Sequence, residues 1–181
     1  MGSRAPGGLP LAHLLAGMVK LLPRAGPTSA LAPIAPAPTM SIAMITELST
    51  FPAVGRVLEI RDDILVFNPL NTNYELHLRH GNRRWSGPVK QRTQILIRAK
   101  GRKIWTVPSG GNFLTPIFGP PRIAQGRIKH LDEKLMVVQA ATPIIIELPA
   151  DDAAYSLATG VLSPGTLINA TLLPGATYEP L

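Results

Sequence analysis

From residue 53 onward the chain alternates short apolar runs with polar turns, the pattern of a protein built from β-strands. Residues 74–78 alternate strictly between apolar and polar side chains, as expected for a strand with one buried face. A short polar turn at residues 61–63 separates two apolar runs and predicts a hairpin, and residues 132–134 repeat this arrangement. The pattern therefore predicts an all-β fold.

The two hairpins belong to longer segments that resemble each other. Residues 53–67 align with residues 124–138 at a constant offset of 71 positions, with an identical Gly-Arg pair at Gly55 and Gly126. With two one-residue gaps the alignment continues to the last strand of each segment. Because the order of the pieces is kept as well as their composition, the sequence predicts an internal duplication. Chance similarity between β-rich segments is the alternative.

The first strand of each copy has an irregular pattern. Its shared apolar positions, Val57 and Ile60 with their counterparts Ile128 and Leu131, lie three residues apart. A flat strand would place such positions on opposite faces of the sheet. The spacing therefore predicts a bulge or a strong coil in this strand.

Each copy is predicted to contain three strands, a variable segment and two further strands. The variable segment is a loop at residues 79–87 in the first copy and a short helix at residues 151–160 in the second. The short fifth strand carries Trp105 in the first copy and Tyr178 in the second. In the fourth strand of the first copy we expect four side chains to face the core: Thr93, Ile95, Ile97 and Ala99.

This order of elements resembles the OB-fold, a small five-stranded barrel. The resemblance covers residues 53–107 and 124–179 and rests on element order, with no family motif. It implies an internally duplicated small β-barrel, in which two OB-like units are packed together or interleaved.

Composition divides the chain into four segments. Residues 1–45 are low in complexity and predicted to be disordered or outside the mature fold, the alternatives being a start codon placed too early and a targeting segment. Residues 46–106 and 123–181 form the two β units, and residues 107–122 form a Gly/Pro-rich linker. We expect three linker side chains to fill a gap in the core, or, if exposed, to contact another subunit: Phe113, Ile117 and Phe118.

Charge is distributed unevenly along the chain, whose net charge is +7. Nine of the 18 basic residues fall between residues 79 and 103 without an intervening acid, whereas residues 135–181 contain four acids and no Lys or Arg. One strand parity, opposite the inward side chains, is predicted to form a basic outer stripe of Arg92, Arg98, Lys100 and Arg102. The candidate polyanion-binding residues are Arg79, Arg83, Arg84, Trp85, Lys90, Arg92, Arg98, Lys100, Arg102 and Lys103.

Catalytic motifs are absent from the sequence: it has no GxGxxG, Walker loop, HExxH, GxSxG or EF-hand spacing, and no cysteine. We expect no enzyme, no metal and no cofactor. No apolar run approaches the ~20 residues of a membrane-spanning helix, and the lack of cysteine fits a cytoplasmic location.

Two functional hypotheses follow from the charge. In the first, the basic face of the first unit binds nucleic acid or another polyanion, with Trp85 and Trp105 offering stacking surfaces. In the second, the protein is structural, and the basic face of one molecule meets the acidic face of the second unit in a homo-oligomer. A solvated basic face that confers solubility is a third alternative.

Overall fold

Strands carry the regular structure of residues 48–150 and 162–181, the part of the chain that the computed structural model describes. All these residues belong to one compact unit. The all-β prediction is confirmed, whereas the segment at residues 1–45 and the helix at residues 151–160 lie outside the described residues. The strands are β1 (Ala53–Arg61), β2 (Ile64–Pro69), β3 (Glu75–His80), β4 (Arg92–Thr106), β5 (Phe113–Thr115), β6 (Phe118–Gly119), β7 (Ile123–Leu131), β8 (Leu135–Gln139), β9 (Pro143–Glu147), β10 (Leu167–Leu172) and β11 (Thr177–Pro180).

Two antiparallel meanders, β1-β2-β3 and β7-β8-β9, begin the two halves of the described chain. The register shifts between Val57 and Glu59 where β1 pairs with β2, and between Ile128 and His130 where β7 pairs with β8. The predicted bulge in the first strand is thus confirmed at corresponding positions. It leaves Val57 and Ile128 fully buried.

A glycine is required at the same place in both meanders. A Cβ at Gly55 would collide with the backbone carbonyl oxygen of Asn68 and lie 2.9 Å from the Cα of Pro69. A Cβ at Gly126 would collide with the carbonyl oxygen of Gln139 and lie 2.8 Å from the following backbone nitrogen. The first strand therefore crosses its neighbour so closely that no side chain fits between them.

Strand pairing closes two rings that share β4. One ring runs β1-β2-β3-β11-β4 and closes through β1–β4, and the other runs β4-β10-β7-β8-β9 and closes through β4–β9. β11 lies parallel to β3, and β9 lies parallel to β4, whereas the remaining pairs within the rings are antiparallel. We call the ring that contains β1 ring 1 and the ring that contains β7 ring 2.

β4 is 15 residues long and serves both rings in turn. Its residues 92–98 pair with β1 and β11, residues 98–100 with β9, and residues 101–106 with β10. The prediction of a separate short fifth strand carrying Trp105 is therefore wrong, because Trp105 lies at the end of a continuous β4. The matching strand of the second half, β11, is separate and inserts between β3 and β4.

The inward side chains of both rings form the main core, and β4 supplies Ile95, Ile97 and Ala99 to it as predicted. Thr93, the fourth residue expected to face the core, is only half-buried. A second, smaller cluster covers the opposite face of β4 at Leu96, with contributions from Leu48 and from β8 and β9. β4 is consequently buried on both faces from residue 95 to residue 99.

The linker contributes β5 and β6, which pair with β7 and β3. Leu114 points into the core and is buried, but Ile117 and Phe118 are 50% and 63% exposed. The prediction that these two side chains fill a gap in the core is wrong, because Phe118 pairs with the outward-facing Glu75. Phe113 is half-buried.

Candidate polyanion-binding surface

Arg98 does not belong to an outer basic stripe. It is 8% exposed, and its Nε lies 3.2 Å from Oε1 of Glu179 on β11. Its side chain has the outward parity that the pattern predicted, but this face of β4 is covered next to it, where the second hydrophobic cluster packs at Leu96. The prediction that Arg98 is available to an external ligand is therefore wrong.

Lys100 lies two residues further along β4, and its charge is also partly compensated. Its Nζ lies 4.0 Å from Oε2 of Glu147 on β9, and the lysine side chain is 70% exposed. An exposed pair at this distance is weak, so Lys100 keeps most of its accessibility to solvent. Together with Arg98, it divides the predicted stripe into two basic groups at opposite ends of β4.

The loop between β3 and β4 uses its side chains to hold neighbouring elements. The backbone nitrogen of Trp85 donates a 2.8 Å hydrogen bond to the hydroxyl of Tyr178, and its half-buried indole packs against the core. Arg83 donates to the carbonyl oxygen of Pro180 at 3.1 Å, and Arg84 lies 2.8 Å from Asp63 at the β1–β2 turn. The indole of Trp85 therefore packs against the core, and its role as a stacking surface stays a prediction.

Arg56 on β1 is a candidate binding residue that the sequence analysis overlooked. It is exposed and pairs in register with Arg92 of β4, so two guanidinium groups stand on the same face of adjacent strands. Exposed Lys90 lies beside them, since its backbone nitrogen donates a 2.6 Å hydrogen bond to the carbonyl of Val57. The alignment of Arg56 with Arg127 was informative about the duplication only; the pairing with Arg92 is a tertiary contact with no local signal.

An open cleft of about 370 Å³ lies between the loop that follows β3 and the end of β11. Thr93 of β4 also lines it, and because side chains alternate along a strand, the preceding Arg92 points to the other face of β4. The cleft is lined by Arg83, Arg84, Trp85, Ser86, Gly87, Pro88, Thr93, Pro180 and Leu181. Arg83 and Arg84 line the cleft, whereas Arg56, Lys90 and Arg92 lie on the adjoining surface of β1 and β4. We refer to these five basic side chains as the cleft cluster.

The other predicted residues lie elsewhere. Arg79 is exposed on β3, where it pairs with Ile64 and does not line the cleft. Arg102 and Lys103 are exposed near the end of β4, in the part that belongs to ring 2. Of the ten predicted residues, Arg83, Arg84 and Trp85 line the cleft, and Lys90 and Arg92 lie beside β1 near Arg56.

The described part of the chain also bears on metal binding and on membrane insertion. Among these residues no group of three or more His, Cys, Asp or Glu side chains is arranged to hold a metal ion. The described residues, 48–150 and 162–181, include no helix of the length and apolarity needed to cross a membrane. Comparison with protein-family models, curated proteins and solved structures returned no match for this chain.

Proposed function

We propose that the chain is a non-enzymatic β module that binds nucleic acid or another polyanion through the cleft cluster. The observation that carries the proposal is that Arg56 of β1 lies directly opposite Arg92 of β4. Like charges directly opposite each other on adjacent strands are destabilising, and a bound anion would relieve this repulsion. Among the described residues, no carboxylate forms an ion pair with Arg56, Arg92 or Lys90.

We propose further that the fold consists of two interleaved OB-like units, each a small barrel that takes its fifth strand from the other half. Three features support this. Ring 1 has the strand order β1-β2-β3-β11-β4, with β3 and β11 parallel. Ring 2 has the corresponding order β7-β8-β9-β4-β10, with β9 and β4 parallel, so β4 takes in ring 2 the place that β11 takes in ring 1. Both halves carry the bulge at corresponding positions. Both also require the glycine, Gly55 or Gly126, at the close crossing.

The assembly hypothesis has less support. It needs the acidic residues of the second half to be free for a neighbouring molecule. Glu179 instead pairs with buried Arg98 of the same chain, whereas Glu147 is exposed and lies 4.0 Å from Lys100. The other two acids that it would use in the second half, Asp151 and Asp152, lie outside the described residues.

The test uses the full chain and a double variant, Arg56→Gln with Arg92→Gln. Affinity for a labelled single-stranded oligonucleotide and for heparin is measured between 50 and 200 mM salt. Each phosphate contact contributes about 0.7 to the slope of log affinity against log salt for a single strand, so the double variant should flatten the slope by about 1.4. Arg61→Gln is the matched control, because Arg61 lies on the same strand and already pairs with Glu59.

Three outcomes decide between the hypotheses. A flatter slope in the double variant alone supports the proposal, and the variant should be at least as stable to urea as the parent, since a repulsion is removed. Absence of binding at 50 mM salt, or equal slopes in parent and variants, contradicts it. A mass above that of the monomer in light scattering, reduced by the double variant, would favour assembly instead.

A further inference from the structure

The second basic group lies on the outer face of ring 2, around Trp105. In one row across four strands, Trp105 of β4 pairs with Asn169 of β10, which pairs with Gln125 of β7, which pairs with Phe113 of β5. The next row, with Ile104, Ala170, Ala124 and Leu114, is buried in the core. Because side chains alternate between the faces of a strand, the Trp105 row faces outward. We call this surface the Trp105 face.

Trp105 is 38% exposed, unlike Trp85, whose indole packs against the core. Two of its neighbours in the row are held by side-chain hydrogen bonds. The Nδ2 of Asn169 donates to Oε1 of Gln125 at 3.5 Å, and Nε2 of Gln125 donates to the carbonyl oxygen of Gly111 at 3.0 Å. The exposed indole therefore stands on a constrained sheet surface, which limits the entropy lost when a flat ligand packs on it.

Two cations lie beside the indole because β4 is irregular at this point. The register of β4 with β10 shifts between Thr171 and Leu172, which pair with Lys103 and Gly101. The residue between, Arg102, has no partner in that register, so both Arg102 and Lys103 are exposed in succession. Lys103 and Trp105 are two residues apart on the same face, about 7 Å along the strand.

The charged side chains on the strands of the Trp105 face are all basic. The four strands that build the Trp105 face contain no Asp or Glu: β4, β5, β7 and β10. An exposed aromatic side chain, on acid-free strands and beside cations that pair with no carboxylate of the described residues, complements a ligand that carries both phosphates and flat bases. Polyanions without bases, such as heparin or polyphosphate, would engage only the cations.

We infer that the Trp105 face is a stacking subsite for single-stranded nucleic acid, with a base on Trp105 and the adjacent phosphates on Arg102 and Lys103. The inference rests on the proposed polyanion binding and specifies its ligand. A single strand is required because the bases of a duplex are stacked on one another and present no free face to a side chain.

The test follows the intrinsic fluorescence of the full chain, which contains only two tryptophans. Titration with oligo(dT) should quench the Trp105 signal in a saturable way, whereas heparin should bind without quenching. Trp105→Leu should lower the affinity for oligo(dT) by about five-fold or more and leave the affinity for heparin unchanged, because stacking on a base is lost. Trp105→Phe, which keeps a ring, should retain part of the affinity and serves if the leucine variant folds poorly.

Leu173→Ala is the matched control, because Leu173 is an equally exposed apolar residue outside the Trp105 face, at 39%. The inference is overturned if heparin and oligo(dT) quench alike, or if Trp105→Leu binds oligo(dT) as the parent does. If neither ligand binds, the proposed function fails together with it. If oligo(dT) binding depends on Trp105 but not on Arg56 and Arg92, the subsite stands and the cleft cluster is excluded.

Discussion

The buried pair of Arg98 and Glu179 offers the sharpest test of the burial of β4, the strand that both rings share. Arg98→Met keeps the length of the apolar stem and removes the charge, leaving Glu179 without this partner. Removal of one member of a fully buried pair costs about 3–5 kcal/mol, and of an exposed pair about 0–1 kcal/mol. The side chain of Arg98 is 9% exposed and that of Glu179 is 23% exposed, so the pair lies nearer the buried case. We expect a loss of about 2–3 kcal/mol in the free energy of unfolding.

Urea denaturation measures this loss. With a slope of about 2 kcal/mol per molar urea, the midpoint should fall by about 1–1.5 M. The control is Lys100→Met on the same strand, where an exposed pair at 4.0 Å should contribute less than about 0.5 kcal/mol. Equal midpoints for the two variants would refute the argument that sharing β4 buries Arg98. Because Arg98 has this structural role, substituting it is also a poor probe of ligand binding.

Two further pairs of substitutions test the close crossing and the linker by the same assay. Gly55→Ala and Gly126→Ala should each lower stability by about 2 kcal/mol or more, because the new Cβ meets backbone atoms. Gly111→Ala, with open space around it, should change stability by less than about 0.5 kcal/mol. Comparable effects at all three sites would contradict the close crossing. Leu114→Ala should cost about 2–4 kcal/mol as a buried side chain, whereas Phe118→Ser should cost less than about 1 kcal/mol, and a larger loss for Phe118 would mean that its surface is covered in solution.

Local patterns were sufficient to predict the strands of the two meanders and the bulge in their first strands. The alternation of residues 74–78, the polar turns and the spacing between Val57 and Ile60 are properties of short segments, and each predicted what the backbone does there. The same spacing did not predict burial, however, because Ile60 is 45% exposed. Whether an outward position is covered depends on what packs across it, which a short segment does not encode.

The course of β4 shows the same limit. A separate fifth strand was expected at Trp105, yet β4 runs without a break through Gly101. The role of this glycine is to let β9 approach, since a Cβ there would lie 3.0 Å from the carbonyl oxygen of Glu147. In the second half the corresponding break is present, with Gly175 at a φ of +97° before β11. A glycine that permits a turn and one that permits a close contact look alike in sequence.

The exchange of strands also explains why the basic loop cannot be assigned to binding alone. Ring 1 is completed by β11, and the loop after β3 holds that strand: the backbone nitrogen of Gly81 donates to the carbonyl of Tyr178 at 2.9 Å, and Arg83 donates to that of Pro180. Arg83 and Pro180 also line the cleft. A polyanion bound there would contact side chains that fix the last strand of the chain in the ring built by the first half. Binding at the cleft cluster would therefore be coupled to the stability of both halves, since a ligand that binds only the folded chain stabilises it by mass action.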